Sequence, residues 1–149
     1  MRRFHFKLEK ILALRLNREH ETELELGRAI GALTELENRI KALAEERAAA
    51  AASRFGKTRG AAEILSYDNY ILRLDRTKDA LVGAAAKAEL AVEEARAVYI
   101  EASRDRKVLD KLKERRQKEY RRSMLAEEVK TLDDISGGRA ARQALNLGA

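Results

Sequence analysis

Apolar residues recur every three or four positions along most of this chain. Leu8, Leu12, Leu26, Ala29, Leu33, Leu36, Ile40 and Leu43 fall on one line of a helix. Arg15, Glu19 and Thr22 share that line and are expected to loosen it. A second series runs Tyr67, Ile71, Leu74, Leu81, Ala85, Ala88, Val92, Ala95, Tyr99, Ala102 and Leu109. Lys78 and Arg106 interrupt it, and beyond Leu109 it turns mostly polar. Each stripe is narrow, so it suits another long helix better than a globular core. Proline, which removes a backbone donor and clashes with the preceding turn, is absent from the sequence.

The pattern predicts helix one over about 4–53, a turn over about 54–65 and helix two over about 66–132. Gly56 and Gly60 loosen the turn, each costing a helix about 1 kcal/mol. Ser66 would cap helix two with Asp68 in its first turn, and Thr58 is the alternative cap. Ser136, Gly137 and Gly138 are expected to end the second helix, leaving a frayed tail over 136–149. The predicted fold is all-α, a long two-helix antiparallel coiled-coil hairpin forming a single coiled-coil domain over 1–149. With the turn near residue 60, residue i should lie beside a residue numbered about 120 − i. Residues 104–122 then fall beside roughly the first 16, and about 10–15 residues of helix two project past helix one.

Composition supports helices over a compact core: 38% of residues are charged and 5% aromatic, with no tryptophan. Cysteine is absent, which excludes disulfides and thiolate metal sites. His5 and His20 are 15 residues apart on one predicted helix. That is about 22 Å along its axis, too far to share a metal. The sequence contains no Gly-rich phosphate loop, HExxH or nucleophile elbow. No catalytic residue, metal or cofactor is therefore expected. The opening Met-Arg-Arg-Phe-His-Phe-Lys has no signal-peptide-like apolar stretch, and no apolar run reaches a membrane span. The expectation is a soluble intracellular protein.

Net charge is +6, and its placement matters more than its size. Residues 104–122 carry ten basic and four acidic side chains, and residues 1–18 carry six basic against Glu9 alone. Everything else together is −5. The hairpin register would gather both basic stretches at one end. Such a tip could contact phosphates of nucleic acid, but Tyr120 is its sole aromatic in 104–122, which argues against base reading or stacking. It could approach an anionic membrane, but the segment lacks a strong apolar face. It could dock in an acidic cavity of a protein partner, or remain a solvated helix. Glu19, Glu21, Glu23 and Glu25 alternate in sequence, which scatters them around a helix and makes no acidic face. Around Tyr67-Asp68-Asn69-Tyr70-Ile71-Leu72-Arg73-Leu74, Tyr70 and Leu72 fall off the stripe and suggest a second contact surface, although Tyr70 could equally cover the turn.

Several segments, taken in order, resemble the flagellar export protein FliJ family. Phe4-His5-Phe6-Lys7-Leu8-Glu9-Lys10-Ile11-Leu12 followed by Leu14-Arg15 is similar to the family's opening. Tyr67 to Leu74 is similar to its tyrosine-aromatic-isoleucine-leucine segment. Arg106-Lys107-Val108-Leu109-Asp110-Lys111-Leu112-Lys113-Glu114-Arg115 resembles its basic block, and Glu127-Glu128 with Leu132-Asp133-Asp134-Ile135 its exit. The resemblance covers about residues 4–135 and implies a non-enzymatic stalk of the flagellar type III protein export apparatus, a motility system. It implies a coiled-coil rod that inserts into the hexameric ring of the export ATPase, contacts the cytoplasmic region of the export gate and engages export chaperones. It also implies a cytoplasmic protein, peripheral to the inner face of the membrane through its partners. The basic tip assigned to the ring is Arg2, Arg3, Lys7, Lys10, Lys111, Lys113, Arg115, Arg116 and Lys118, and the gate contact is Tyr70, Arg73 and Leu74. The rival readings are a basic coiled coil that binds nucleic acid, the equivalent stalk of a virulence secretion system, and a rotary ATPase rotor subunit.

Overall fold

A computed structural model describes residues 3–54 and 60–148. Two long helices, α1 (Glu9–Arg54) and α2 (Ala61–Leu147), pack against each other as an antiparallel hairpin, with no strand among the described residues. The chain divides into two compact units, one of residues 1–16 with 104–149 and the other of residues 17–103. Each contains a stretch of both helices.

Within each unit the predicted register is observed. In the first, Leu12 and Leu109 are both buried and share a cluster with Phe6, against which Phe4, Leu8 and Leu112 pack. Glu9 accepts a hydrogen bond from Lys113 Nζ at 2.8 Å, and Arg15 donates to the carbonyl of Asp105 at 2.9 Å. In the second, Arg47 bonds Asp75 at 2.5 Å and Arg54 reaches Asp68 at 3.0 Å. The numbers of each pair add to about 120, as a hairpin with one central turn requires. Leu26, Ala29, Leu33, Leu36, Ile40 and Leu43 are half-buried along α1, and Leu74 and Val92 are buried on α2. Half-burial is what a two-helix seam provides, because each residue has one neighbouring helix and solvent beyond it.

The polar patch of the seam is not loose throughout. Thr22 is the most deeply buried side chain among the described residues, 1% exposed, and its hydroxyl donates to the Glu19 carbonyl at 2.8 Å. A small side chain that satisfies its own donor within the helix can occupy a seam at little cost. Arg15 instead crosses to α2 and keeps its charge half-exposed.

The helix limits differ from the sequence expectation in three places. First, α1 starts at Glu9, not Phe4. Residues 3–8 alternate outward and inward, with Arg3, His5 and Lys7 exposed and Phe4, Phe6 and Leu8 turned toward the core. A period of two cannot be met by a helix, so this stretch lies along the core in a non-helical path. Helix begins once the Phe6 and Leu8 carbonyls accept from Glu9 and Leu12. Second, α2 starts at Ala61, not Ser66. Ala61 and Ala62 are strong helix formers, Glu63 suits the positive helix end, and the Gly60 carbonyl accepts from Glu63 and Ile64. Ser66 is therefore inside the helix, while Gly56 and Thr58 lie outside the described residues. Third, α2 continues through Ser136, Gly137 and Gly138 to Leu147, well past the expected end at 132. Two glycines cost about 2 kcal/mol between them, which a long run of helix formers without proline absorbs.

Two outcomes follow for stability. Leu109→Ala should lower unfolding free energy by about 2–3 kcal/mol, the low end for a buried leucine because the core is thin. Gly27 and Gly31 sit inside α1 where an added Cβ would meet nothing within 4 Å. Gly27→Ala with Gly31→Ala should stabilise by about 1–2 kcal/mol. Urea unfolding followed by circular dichroism measures both, and an unchanged midpoint in either variant would contradict this packing.

Candidate functional site

Two places in the structure concentrate functional groups, one in each unit. The first is the basic end. Helical periodicity sorts its cations onto two faces. On the side toward α1, Lys113 is engaged with Glu9, and Arg116 borders a groove formed with the N-terminal segment. Arg3, Phe4, His5, Phe6, Lys7, Leu8, Leu112, Glu119, Tyr120 and Ser123 complete that groove, which has a volume of about 780 Å³. Its floor is apolar: the rings of Phe4 and Tyr120 lie 5.6 Å apart, tilted by 51°. Its rim carries Arg3, Lys7 and Arg116. A second hollow adjoins it at Tyr120 and Ser123 and runs over Met124, Glu127, Glu128, Thr131 and Leu132. Together they make an apolar trough that is cationic at one end and acidic at the other.

The remaining predicted tip residues lie elsewhere. Lys10 is exposed on α1. Lys111, Arg115 and Lys118 are exposed on α2, with Arg115 bonded to Glu119 at 3.2 Å. Arg2 lies outside the described residues. The sequence reading did not anticipate the groove, because it treated Phe4 as the start of a helix. The alternation Phe4-His5-Phe6-Lys7-Leu8 was the available signal.

The second place is the aromatic stretch of α2. Tyr70 is half-buried, and its hydroxyl donates to Glu46 of α1. The Arg73 guanidinium lies 5.8 Å from the Tyr70 ring centre. Arg47 and Asp75 flank this group, and the hydrogen bond and charge of Asp75 raise the Arg47 pKa. Leu74 does not join this outward cluster: it is 7% exposed and packs in the seam, so it holds the helices together and cannot present a surface. The exposed apolar residues here are Leu65 and Leu72, seven residues apart on another side of α2. Tyr70 and Arg73 therefore form one polar, aromatic patch, and Leu74 supports it from below.

Among the described residues no cluster of three or more His, Cys, Asp or Glu side chains could hold a metal ion. His20 lies 3.7 Å from Glu23 on exposed helix, and His5 borders the groove. No helix among the described residues is long and apolar enough to cross a membrane.

The Tyr70 pair generates a titration prediction. The hydrogen bond to Glu46 is the largest cause of a raised Tyr70 pKa, followed by burial and the Glu46 charge, while Arg73 opposes it. A raised folded value means the proton is held more tightly in the folded chain. The pair's contribution to stability is present below pH about 10 and is lost as pH rises through the folded value. Ultraviolet titration should find a tyrosine ionising above the ordinary range, and Glu46→Ala, which removes both acceptor and charge, should lower it. Four tyrosines titrating together in the ordinary range would show that the bond does not form in solution.

A model of the flagellar FliJ protein family matches residues 4–145. No curated protein and no solved structure matches the chain. The match covers nearly the whole hairpin, from the N-terminal segment that lines the groove to the last turns of α2, and the chain is a member of the flagellar FliJ protein family.

Proposed function

We propose that this flagellar export-related chain acts as a stalk, joining the export ATPase ring to the export gate without performing catalysis itself. The observation that carries the reading is the joining of two basic stretches in one unit, residues 1–16 with 104–149. Leu12, Leu109 and the Glu9–Lys113 pair fasten them together. A ring interior must grip a shaft through side chains at its end. Arg3, Lys7, Lys10, Lys111, Arg115, Arg116 and Lys118 supply exposed charge there, while Arg2 of the same set lies outside the described residues. Lys113 is half-buried against Glu9 and serves mainly to hold the tip. Tyr70 with Arg73 offers a patch for the cytoplasmic region of the gate, braced by Leu74. Export chaperones are further partners of the same rod. The protein would be cytoplasmic and peripheral at the inner face of the membrane, held there by its partners.

The family match favours the flagellar system over a virulence secretion stalk or a rotor subunit. Sequence-specific nucleic-acid binding is disfavoured, because the aromatic residue of the basic block, Tyr120, is packed against Phe4.

Charge reversal of Arg115, Arg116 and Lys118 leaves the Glu9–Lys113 clasp in place. It should weaken association with the hexameric ATPase by about tenfold or more, with helix content unchanged. Pull-down and titration against the ATPase, alongside circular dichroism, measure this. Full-strength association in the triple variant would refute the tip as the ring contact.

A further inference from the structure

On the side of α2 opposite buried Leu109, the basic block forms an unbroken line. Taking 100° per residue, Arg104, Lys107, Lys111, Arg115, Lys118 and Arg122 fall within an arc of about 80°. No other residue of 104–122 falls in that arc, so every position on it is cationic. All six are exposed. The line is about 27 Å long and carries roughly one charge per helical turn. Glu114 and Glu119 stay outside it, and Glu119 reaches toward Arg115 from the side.

The same arc then runs into apolar residues. Leu125 and Val129 continue it, with Leu132 at its edge, at 61%, 56% and 64% exposure. Asp133 ends it. These positions are helical because α2 passes the expected stop and extends to Leu147. The basic segment alone lacks an apolar face, but its helical continuation supplies one in line.

We propose that this outer face of α2 binds directly to an anionic lipid surface, with the six cations over the headgroups and Leu125 and Val129 dipping into the interface. A straight row of cations matches a surface with charge spread evenly over a plane. Lipid also explains the aliphatic residues on the row, since apolar tips gain from partial burial at a bilayer interface. A nucleic-acid duplex would use the cations but gain nothing from Leu125 and Val129, and the arc offers no aromatic, Asn or Gln to a base. Lys111, Arg115 and Lys118 are shared with the proposed ring contact, so the test rests on the three cations that are not. Arg104, Lys107 and Arg122 are not among the residues assigned to the ring.

Vesicle co-sedimentation of the full chain, with no ATPase present, tests it. Vesicles mixing phosphatidylcholine with phosphatidylglycerol should retain the protein, those of phosphatidylcholine alone should not, and added salt should release it. Arg104→Gln, Lys107→Gln and Arg122→Gln together should weaken partitioning on the order of a hundredfold, at about fivefold per charge. Arg28→Gln, Lys41→Gln and Lys87→Gln remove equal charge from exposed sites elsewhere, and should change it by about twofold or less. Leu125→Ser with Val129→Ser should weaken it several-fold while circular dichroism shows the helices intact. Equal losses in the two charge variants would overturn the proposal as a net-charge effect. So would an unaltered Leu125/Val129 variant, or a DNA duplex or polyglutamate bound as tightly as the anionic vesicles through the same three cations.

Discussion

The seam between α1 and α2 governs everything else in this molecule. Its residues are spaced for a helix that buries one line, and the line is only about one side chain wide. Such a core cannot close on itself, so each helix must find the other, and a single central turn makes them antiparallel. Once paired, the choice of register is tight. A shift by one residue would rotate Leu12, Leu33 or Leu109 off the contact line and bring charged neighbours onto it. The polar clasps, Glu9 with Lys113, Arg47 with Asp75 and Arg54 with Asp68, reinforce the same register. They are substantially solvent-exposed, and exposed ion pairs contribute little to stability. Apolar burial sets the pairing, and these pairs add to its specificity.

Charge then follows from the seam. A helix that commits one face to burial displays everything else at fixed angles around it. In the block 104–122 this separates basic residues that border α1 and the N-terminal segment from a row that faces away. Lys113 and Arg116 belong to the first group, and the row from Arg104 to Arg122 to the second. A cluster that reads as one basic patch in sequence is thus two surfaces with different neighbours. One is a trough with an aromatic floor. The other is an open row of cations leading to aliphatic side chains. A partner that wraps the tip meets both, whereas a flat anionic surface meets only the second.

The aromatic stretch shows how packing divides neighbouring residues. Leu74 and Arg73 are adjacent in sequence, yet one is in the seam and the other lies beside the Tyr70 ring. Tyr70 bonds Glu46 across the seam, so its ring is held in one position. A held ring loses less freedom on binding than a mobile one.

The sequence by itself determined the hairpin, its register and the meeting of its basic stretches. Spacing of apolar residues is a local property, and with one turn near residue 60 the antiparallel pairing follows by arithmetic. Nearly every residue placed on the two stripes is buried or half-buried as the stripes require, and the family resemblance could be read from the order of its segments. Three things were decided only by tertiary structure. Phe4 and Phe6 leave helical geometry because both rings find the core of α2, a contact between residues more than a hundred positions apart. Ser66 is too weak a cap to set the start of α2, and Gly137–Gly138 too weak a stop to end it, because continuing a long run of strong helix formers gains more than either signal costs. Leu74 is support and not surface, because burial depends on which neighbour lies across the seam. Local spacing fixes which face a side chain occupies, but only the packed partner decides whether that face is covered.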